Sequence, residues 1–519
     1  MAKGIKERAI KDVAKGAGIL FIGVVFSKVF TLIYRIVSAR LLLPESYGML
    51  SLAIAVYEIC VILVHIGIPT GVNRYVSMYR GRGDERRIKG TITSALKITI
   101  PLSIFTATVV FFLSDFIASV FFHNPAVSPV IKLIVVAIPF QTLLINSRSI
   151  IMAFKEIKYR VYSENILQGI IKVALIILLA LIGIDVLGAT LAFVLSIMVS
   201  GIICFYFVEF KIFPIIRSNI KPIHNYSELF RYSWPLAMSG VVGLIARYVD
   251  TFMLGYFMAE SEVGIYNAAM IIATSLVLFI NSLGGILFPV LSELYGRGEK
   301  DVMVDTYKAS AKWGFSATLP MFMLMVLFPT PIVRLIYGSS YTTAATPLSI
   351  LAFGFFSSAL VGGSTLLLQS IGKTKPVFGI LAFAAVSNVI LNYILIPKYG
   401  VVGAAIATCT TLTAKSFMSL ISAYHYTKMH PYKRSYYKSI LASLFSVGTV
   451  YVVIKYIFAT VPLWVLLPAF LAFVALYGVS FILLKGIDED DIIILRALDK
   501  KFGIKTKWIR NLAKMSFSK

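Results

Sequence analysis

Long apolar runs separated by short polar stretches make up most of this chain. A helix needs about 20 mostly apolar residues to cross a bilayer, and applying that template predicts about fourteen spans. They fall at 17–41, 48–68, 91–114, 128–151, 161–183, 186–209, 229–257, 263–288, 306–328, 343–370, 376–396, 401–425, 437–459 and 463–485. No connection exceeds roughly 25 residues, too little chain for a soluble domain with its own core.

Composition agrees with this pattern. The 519 residues are 58% hydrophobic and 14% charged, with a mean hydropathy of +0.87. Soluble domains carry about 25% charged residues, so a soluble enzyme, a disordered chain and a collagen-like fibre are excluded. The net charge of +25 would suit nucleic acid, but in a membrane protein surplus Lys and Arg mark cytoplasmic loops, and no nucleic-acid partner is expected. Basic residues crowd every second loop. Arg74, Arg80, Arg82, Arg86, Arg87 and Lys89 form one group, Lys155, Lys158 and Arg160 the next, and Arg297, Lys300, Lys308 and Lys312 a later one. The intervening loops hold only Arg40, Arg334 and Lys398. Both termini are therefore expected in the cytoplasm, in a multi-pass protein of the cytoplasmic (inner) cell membrane. Cys60, Cys204 and Cys409 lie far apart in apolar runs, without metal-type spacing, and read as small core residues. The first run, near Gly18 to Leu41, lacks a cleavage site and reads as a span rather than a signal peptide.

The chain repeats itself. At an offset of 215, Gly81-Arg82-Gly83-Asp84 falls on Gly296-Arg297-Gly298-Glu299, Thr91 on Thr306 and Lys97 on Lys312. At the same offset Val186-Leu187-Gly188-Ala189 falls on Val401-Val402-Gly403-Ala404. Agreement at one offset in distant regions points to duplication. An even number of helices per unit keeps the orientation, so the repeats are parallel, with a site expected at their interface. The predicted fold is an all-α polytopic membrane protein with two parallel six-helix repeats forming two lobes. The N-terminal lobe is 1–215, the C-terminal lobe 216–430, and 431–519 adds a helical hairpin and a basic tail. In that tail Ile504, Trp508, Leu512 and Met515 recur at helical spacing among basic residues, which suits a helix lying on the membrane surface.

Ionisable residues inside spans are costly and by default face the bundle interior or a water-filled path. Lys28 and Arg35 share a face of the first helix, Glu58 and His65 of the second, and Arg247 and Asp250 of the seventh. Lys28, Arg35 and Arg247 are candidates to bind an anion such as phosphate, for which Arg offers a bidentate fork. Glu58, Asp250 and His65 are candidates to balance charge or bind a coupling ion, His65 being placed near the outer end of its helix. Glu164, Gln168 and Lys172 form a secondary polar stripe at four-residue spacing. Helix-pinning ion pairs are the competing explanation, as for Arg247 with Asp250. Lys97, Lys132, Arg148, Lys415 and Lys455 read as snorkelling or packing residues. There is no nucleophile elbow, HExxH, paired CxxC or P-loop. No catalytic residue, metal site or cofactor is expected. A coupling ion, H+ or Na+, stays open.

The run GILFIGVVFSKVFTLIYRIVSARLLLPESYGMLSLAIA at Gly18–Ala55 resembles the opening of prokaryotic polysaccharide flippases. Its features are Ser27-Lys28, Arg35, the turn from Ala39 to Gly48 and a second helix rich in small residues. GIPTGVNRYVSMYRGRGD at Gly67–Asp84 resembles the loop that follows in the same group. The resemblance is to the Wzx-like and stage V sporulation protein B-like branch of the multidrug/oligosaccharidyl-lipid/polysaccharide superfamily. It implies a flippase that moves a polyprenyl-(pyro)phosphate-linked oligosaccharide across the cytoplasmic membrane for surface polysaccharide assembly, by alternating access of two lobes. It also implies cationic residues of the first helix on the head group, here Lys28 and Arg35 by position, and a lipid groove at the last two helices. Implied partners are the lipid-linked sugar, membrane lipids and polysaccharide-assembly enzymes, and a monomer is expected because two lobes already enclose a site. A multidrug/cation antiporter of the same fold is the alternative, disfavoured by the predominance of cations. A membrane enzyme on lipid-linked glycans is a third, disfavoured by outer loops that are short and nearly uncharged.

Overall fold

The computed structural model describes residues 23, 26–65, 67–183, 185–433, 436–457, 465–484 and 486, all of them helix, turn or loop and none in a strand. The basic N-terminal segment and the tail with Trp508 lie outside these residues. Among the described residues nine helices are long and apolar enough to cross a membrane, or ten if one bent pair is a single span. The chain is thus a multi-pass, all-α membrane protein, and fourteen spans remain an expectation. By contacts it divides into two compact units, residues 1–267 and 268–519.

The first unit begins with α1 (26–41), α2 (Pro44–His65), α3 (Ile68–Gly81), α4 (Glu85–Phe116), α5 (Ser128–Val135) and α6 (Ala137–Ala153). It continues with α7 (Ile157–Arg160), α8 (Gln168–Leu181), α9 (Val186–Phe207), α10 (Tyr226–Phe257) and the start of α11 (Glu260–Thr274). The α2 helix is apolar around its whole circumference and buried from Tyr47 to Tyr57 without interruption, as a central helix must be. Its neighbours approach closely because small residues let them. A Cβ on Gly48 would lie 1.8 Å from the carbonyl oxygen of Glu260, and one on Gly264 would lie 2.0 Å from that of Pro44. The Ala39–Gly48 turn noted in the sequence thus ends on a helix crossing that needs glycine. At the basic end, Ile68, Val72, Ile88, Ile92, Ile151 and Leu229 pack one core between α3, α4, α6 and α10.

The segment between α9 and α10 is firmly held. The Glu209 carboxylate accepts hydrogen bonds from the backbone N–H groups of Ile215, Ile216 and Arg217, at 2.7–3.1 Å. Further on, Lys89 donates to the Ser218 carbonyl at 2.6 Å, and the Ile223 N–H donates to the Arg86 carbonyl at 3.1 Å. These bonds fix the entry of α10, which then packs along α2 and α3.

The second unit completes α11 and holds α12 (Leu276–Arg297), α13 (Lys300–Leu327), α14 (Pro329–Tyr337), α15 (Ala345–Leu360) and α16 (Ser364–Ser370). It ends with α17 (Thr374–Thr427), α18 (Tyr436–Ile457) and α19 (Leu466–Leu483). Pro329 starts α14, which turns 90° from α13. The 54-residue α17 breaks at Gly400, whose backbone (φ 55°, ψ −133°) is not helical, three residues after Pro397. At ~1.5 Å per residue an unbroken helix of that length would be far longer than a bilayer is thick, so the break makes two spans of one helix. The last helices dock on α13: Ser316 and Ser439 hydroxyls bond at 2.7 Å, and the Tyr477 hydroxyl donates to the Ser316 carbonyl at 2.9 Å. The sequence duplication has a structural echo. Gly83 and Gly298, 215 positions apart, both adopt left-handed backbone (φ 68° and 74°) where one helix ends and the next begins.

Candidate functional site

Four helices of the first unit bring charges together inside the apolar region. Glu58 projects from the middle of α2. The cations that act on it are, in order of influence, Arg247 of α10, Arg35 of α1 and Lys172 of α8. Three cations act on this one carboxylate, and the group stays net positive even with the buried Asp250 of α10 counted. Among the described residues no direct ion pair is formed by Glu58, so its charge is shared rather than spent on one partner. Tyrosine hydroxyls fill the gaps: Tyr34, Tyr47 and Tyr248 surround Arg35, and Tyr248 also sits beside Arg247 and Glu58.

The sequence builds this arrangement from adjacent pairs. Tyr34-Arg35, Tyr57-Glu58 and Arg247-Tyr248 each join a charge to a phenol within a span. In each, an amphipathic ring next to the charge supplies both packing and a polar tip. Lys172 is held differently. Its ammonium lies 4.7 Å from the Phe193 ring centroid and 5.4 Å from that of Tyr34, a cation–π contact strengthened by the dry surroundings. The rings are themselves fixed, because the Tyr34 hydroxyl donates to the Ala189 carbonyl at 3.0 Å. Phe193 also meets Tyr57 edge to face at 5.4 Å.

The other candidates go elsewhere. Lys28 is exposed on α1, with no hydrogen bond or ion pair to a described residue. Asp250 is 5% exposed and accepts a 2.6 Å hydrogen bond from the Tyr266 hydroxyl of α11. Sequence spacing puts it on the Arg247 face, but Glu58 is the carboxylate set among the cations. His65 corrects its expected place. It lies at the end of α2 that runs into the basic α3–α4 hairpin, not the opposite end, and at 7% exposure it does not reach water. Its Nδ1 meets the Val61 carbonyl one turn back. The stripe of Glu164, Gln168 and Lys172 is divided. A wider π-type turn over Val161–Leu167 shifts the helical register, and Glu164 pairs with Arg148 at 2.8 Å and Arg160 at 2.9 Å. Gln168 stays half-buried between the two groups. Arg148 is therefore an ion-pairing residue rather than a snorkelling one. Lys132 likewise pairs with Asp115 at 2.8 Å.

The Glu164 triad should be structural. We expect Glu164→Gln to cost about 1–3 kcal/mol by leaving two half-buried guanidinium groups without their carboxylate. A lower unfolding temperature of the purified protein in detergent would be the readout. Arg148→Gln, which leaves Glu164 paired to Arg160, should cost less.

Chemically, the Glu58 cluster can hold an anion. Charges this close in a medium less polar than water interact more strongly than in bulk solvent, so the net positive group favours an anion over a cation. Among the described residues no group of His, Cys, Asp and Glu is arranged to hold a metal ion.

Residues 13–295, more than half of the chain, match the family model described as polysaccharide biosynthesis protein. The chain belongs to this family. Within the polysaccharide biosynthesis proteins it is similar to the capsular polysaccharide biosynthesis protein CapF of Staphylococcus aureus, 26% identical over 72% of this chain and 96% of that one. It is also similar to the probable low-salt glycan biosynthesis flippase Agl15 of Haloferax volcanii, 27% identical over 37% of this chain and 41% of that one. Residues 235–394 match a second family model, MatE. The fold is similar to that of a solved structure of the lipid II flippase MurJ, with a TM-score of 0.68 at 18% identity over 88% of this chain and 97% of that one. The family resemblance expected from the first two helices is thereby borne out. Two of these similar proteins, Agl15 and MurJ, are named as flippases.

Proposed function

We propose that this protein is a flippase for a polyprenyl-(pyro)phosphate-linked oligosaccharide, moving it across the cytoplasmic membrane for assembly of a surface polysaccharide or glycan. The observation that carries the reading is the gathering of Arg35, Arg247 and Lys172 around the carboxylate Glu58 within apolar helices. A (pyro)phosphate would neutralise the surplus, with the Arg35 and Arg247 forks binding its oxygens. Lys172 supplies a point charge over its two rings. The sugar would cross through the polar interior while the polyprenyl chain stays in lipid, so no span has to carry the tail. The names of CapF and Agl15 support a substrate of this class.

Transport would proceed by alternating access of two six-helix lobes, 1–215 and 216–430, in a fourteen-span monomer with both termini in the cytoplasm. The appended helices within 431–519 would guide the lipid tail. Among ionisable residues facing the cations, Glu58 is the natural site for a coupling ion, H+ or Na+. A cation antiporter is disfavoured, because a cationic drug would meet a net positive group of Arg35, Arg247 and Lys172.

The test is leaflet translocation of a fluorescent lipid-linked oligosaccharide in vesicles containing the purified protein. Movement to the opposite leaflet, competed by unlabelled polyprenyl pyrophosphate glycan, is expected. Folded protein that moves no such lipid but exports cationic dyes against an ion gradient would replace this reading with the antiporter.

A further inference from the structure

The second unit contains a cavity of its own, of about 630 Å³, with polar groups set in a mostly apolar wall, among α12, α13, α15, α16 and α17. Its size lies within the range of about 300–1,000 Å³ usual for small-ligand pockets. Lys415 of α17 is the only charged residue among its described lining residues. It is half-buried and makes no hydrogen bond or ion pair to any described residue. Ionisable groups within spans mark function by default.

Around Lys415 the cavity is lined by Asn281, Ser310, Ser358, Thr365 and Gln369. Ser358 and Thr365 bond onward to Ser416 and Ser419, at 3.4 Å and 3.0 Å. The side chains of Asn281, Ser310 and Gln369 make no hydrogen bond to a described residue, leaving donors and acceptors open toward one space. Gly284 and Gly314 keep the walls back. A Cβ at either would meet nothing closer than 3.7 Å. Phe288, 41% exposed, adds a ring face at the edge.

We infer that this cavity is a subsite for an acidic sugar, taking a uronate-type carboxylate on Lys415 and sugar hydroxyls on the surrounding amides and hydroxyls. Neutral side chains that both donate and accept match the hydroxyls of a sugar, which do the same. One compact ammonium matches one carboxylate. A pyrophosphate would call for the arginine forks present around Glu58 and absent here. The inference rests on the flippase reading only for the origin of the sugar, as a residue of the transported glycan.

The test is equilibrium binding of free glucuronic acid and of glucose to the detergent-purified full chain, by calorimetry. The expected result is glucuronate binding at least tenfold tighter than glucose, with that preference lost in Lys415→Gln and largely kept in Lys415→Arg. Unfolding temperatures of the variants check that the fold is intact. Equal binding of the two sugars, an unchanged preference in Lys415→Gln, or no binding of either at millimolar concentration would overturn the inference. Wild-type vesicle translocation is scored separately. Charge-selective binding through Lys415 without movement of any glycan lipid would defeat the flippase reading and leave the subsite standing.

Discussion

Arg35→Gln is expected to reduce translocation of a lipid-linked oligosaccharide by about 10- to 100-fold while leaving the protein folded. The magnitude follows from losing a charge-assisted hydrogen-bonding group, worth about 1.5–3 kcal/mol, from the site that holds the phosphate. The fold should survive because the change relieves charge rather than stranding it: Glu58 keeps Arg247 and Lys172 as neighbours. Arg35→Lys keeps the charge but loses the bidentate fork, and should fall between wild type and Arg35→Gln. The measurement is the initial rate of leaflet exchange in vesicles at matched protein density, with the unfolding temperature as control. A full wild-type rate in Arg35→Gln would remove Arg35 from the head-group site. Glu58→Gln should act in the opposite sense on binding, tightening the hold on a pyrophosphate lipid by raising the cationic surplus.

The second large effect is expected at Gly48, where the damage is to the fold. A leucine there would place its Cβ 1.8 Å from the Glu260 carbonyl oxygen, and neither backbone can rotate out of the way. Overpacking that side chains can absorb costs about 1–3 kcal/mol. Here helix α2 would have to separate from α11, so the cost should be at or above the top of that range. Gly48→Leu should give little monodisperse protein after detergent extraction and a sharply lower unfolding temperature. Gly81→Ala is the control: it lies at the end of α3 with nothing within 4 Å of the added atom. A Gly48→Leu protein as stable as wild type would mean that the two helices do not cross as described.

The contrast between these sites shows which features were legible before the structure. The chemistry of Arg35, Glu58 and Arg247 could be read because a charge in a long apolar run has few reasons to be there. Their companions were harder to read. Tyr34, Tyr57 and Tyr248 are common residue types in spans, and only their adjacency to the charges marks them. Spacing alone groups Lys172 with Glu164. Four-residue spacing ties it to Glu164 only if the helix is regular, and the π-type turn over Val161–Leu167 breaks that assumption. Arg148 and Lys415 looked alike in sequence, each a lone cation within a span. One proved to be paired at 2.8 Å, the other to line a cavity without a partner.

The sequence by itself determined that the chain crosses a membrane as apolar helices, that its cations crowd alternate loops, and that its family is one of polysaccharide biosynthesis. These properties are written in local composition and short motifs, because twenty apolar residues have the same preference for lipid whatever they later pack against. Only the tertiary structure decided which charges meet. That depends on helix rotation, on the extra residue of a π-type turn and on how closely glycines such as Gly48 and Gly264 let two backbones approach. Each of these is set by packing between segments far apart in the chain, and a change of one residue in register turns a side chain by about 100° around its helix.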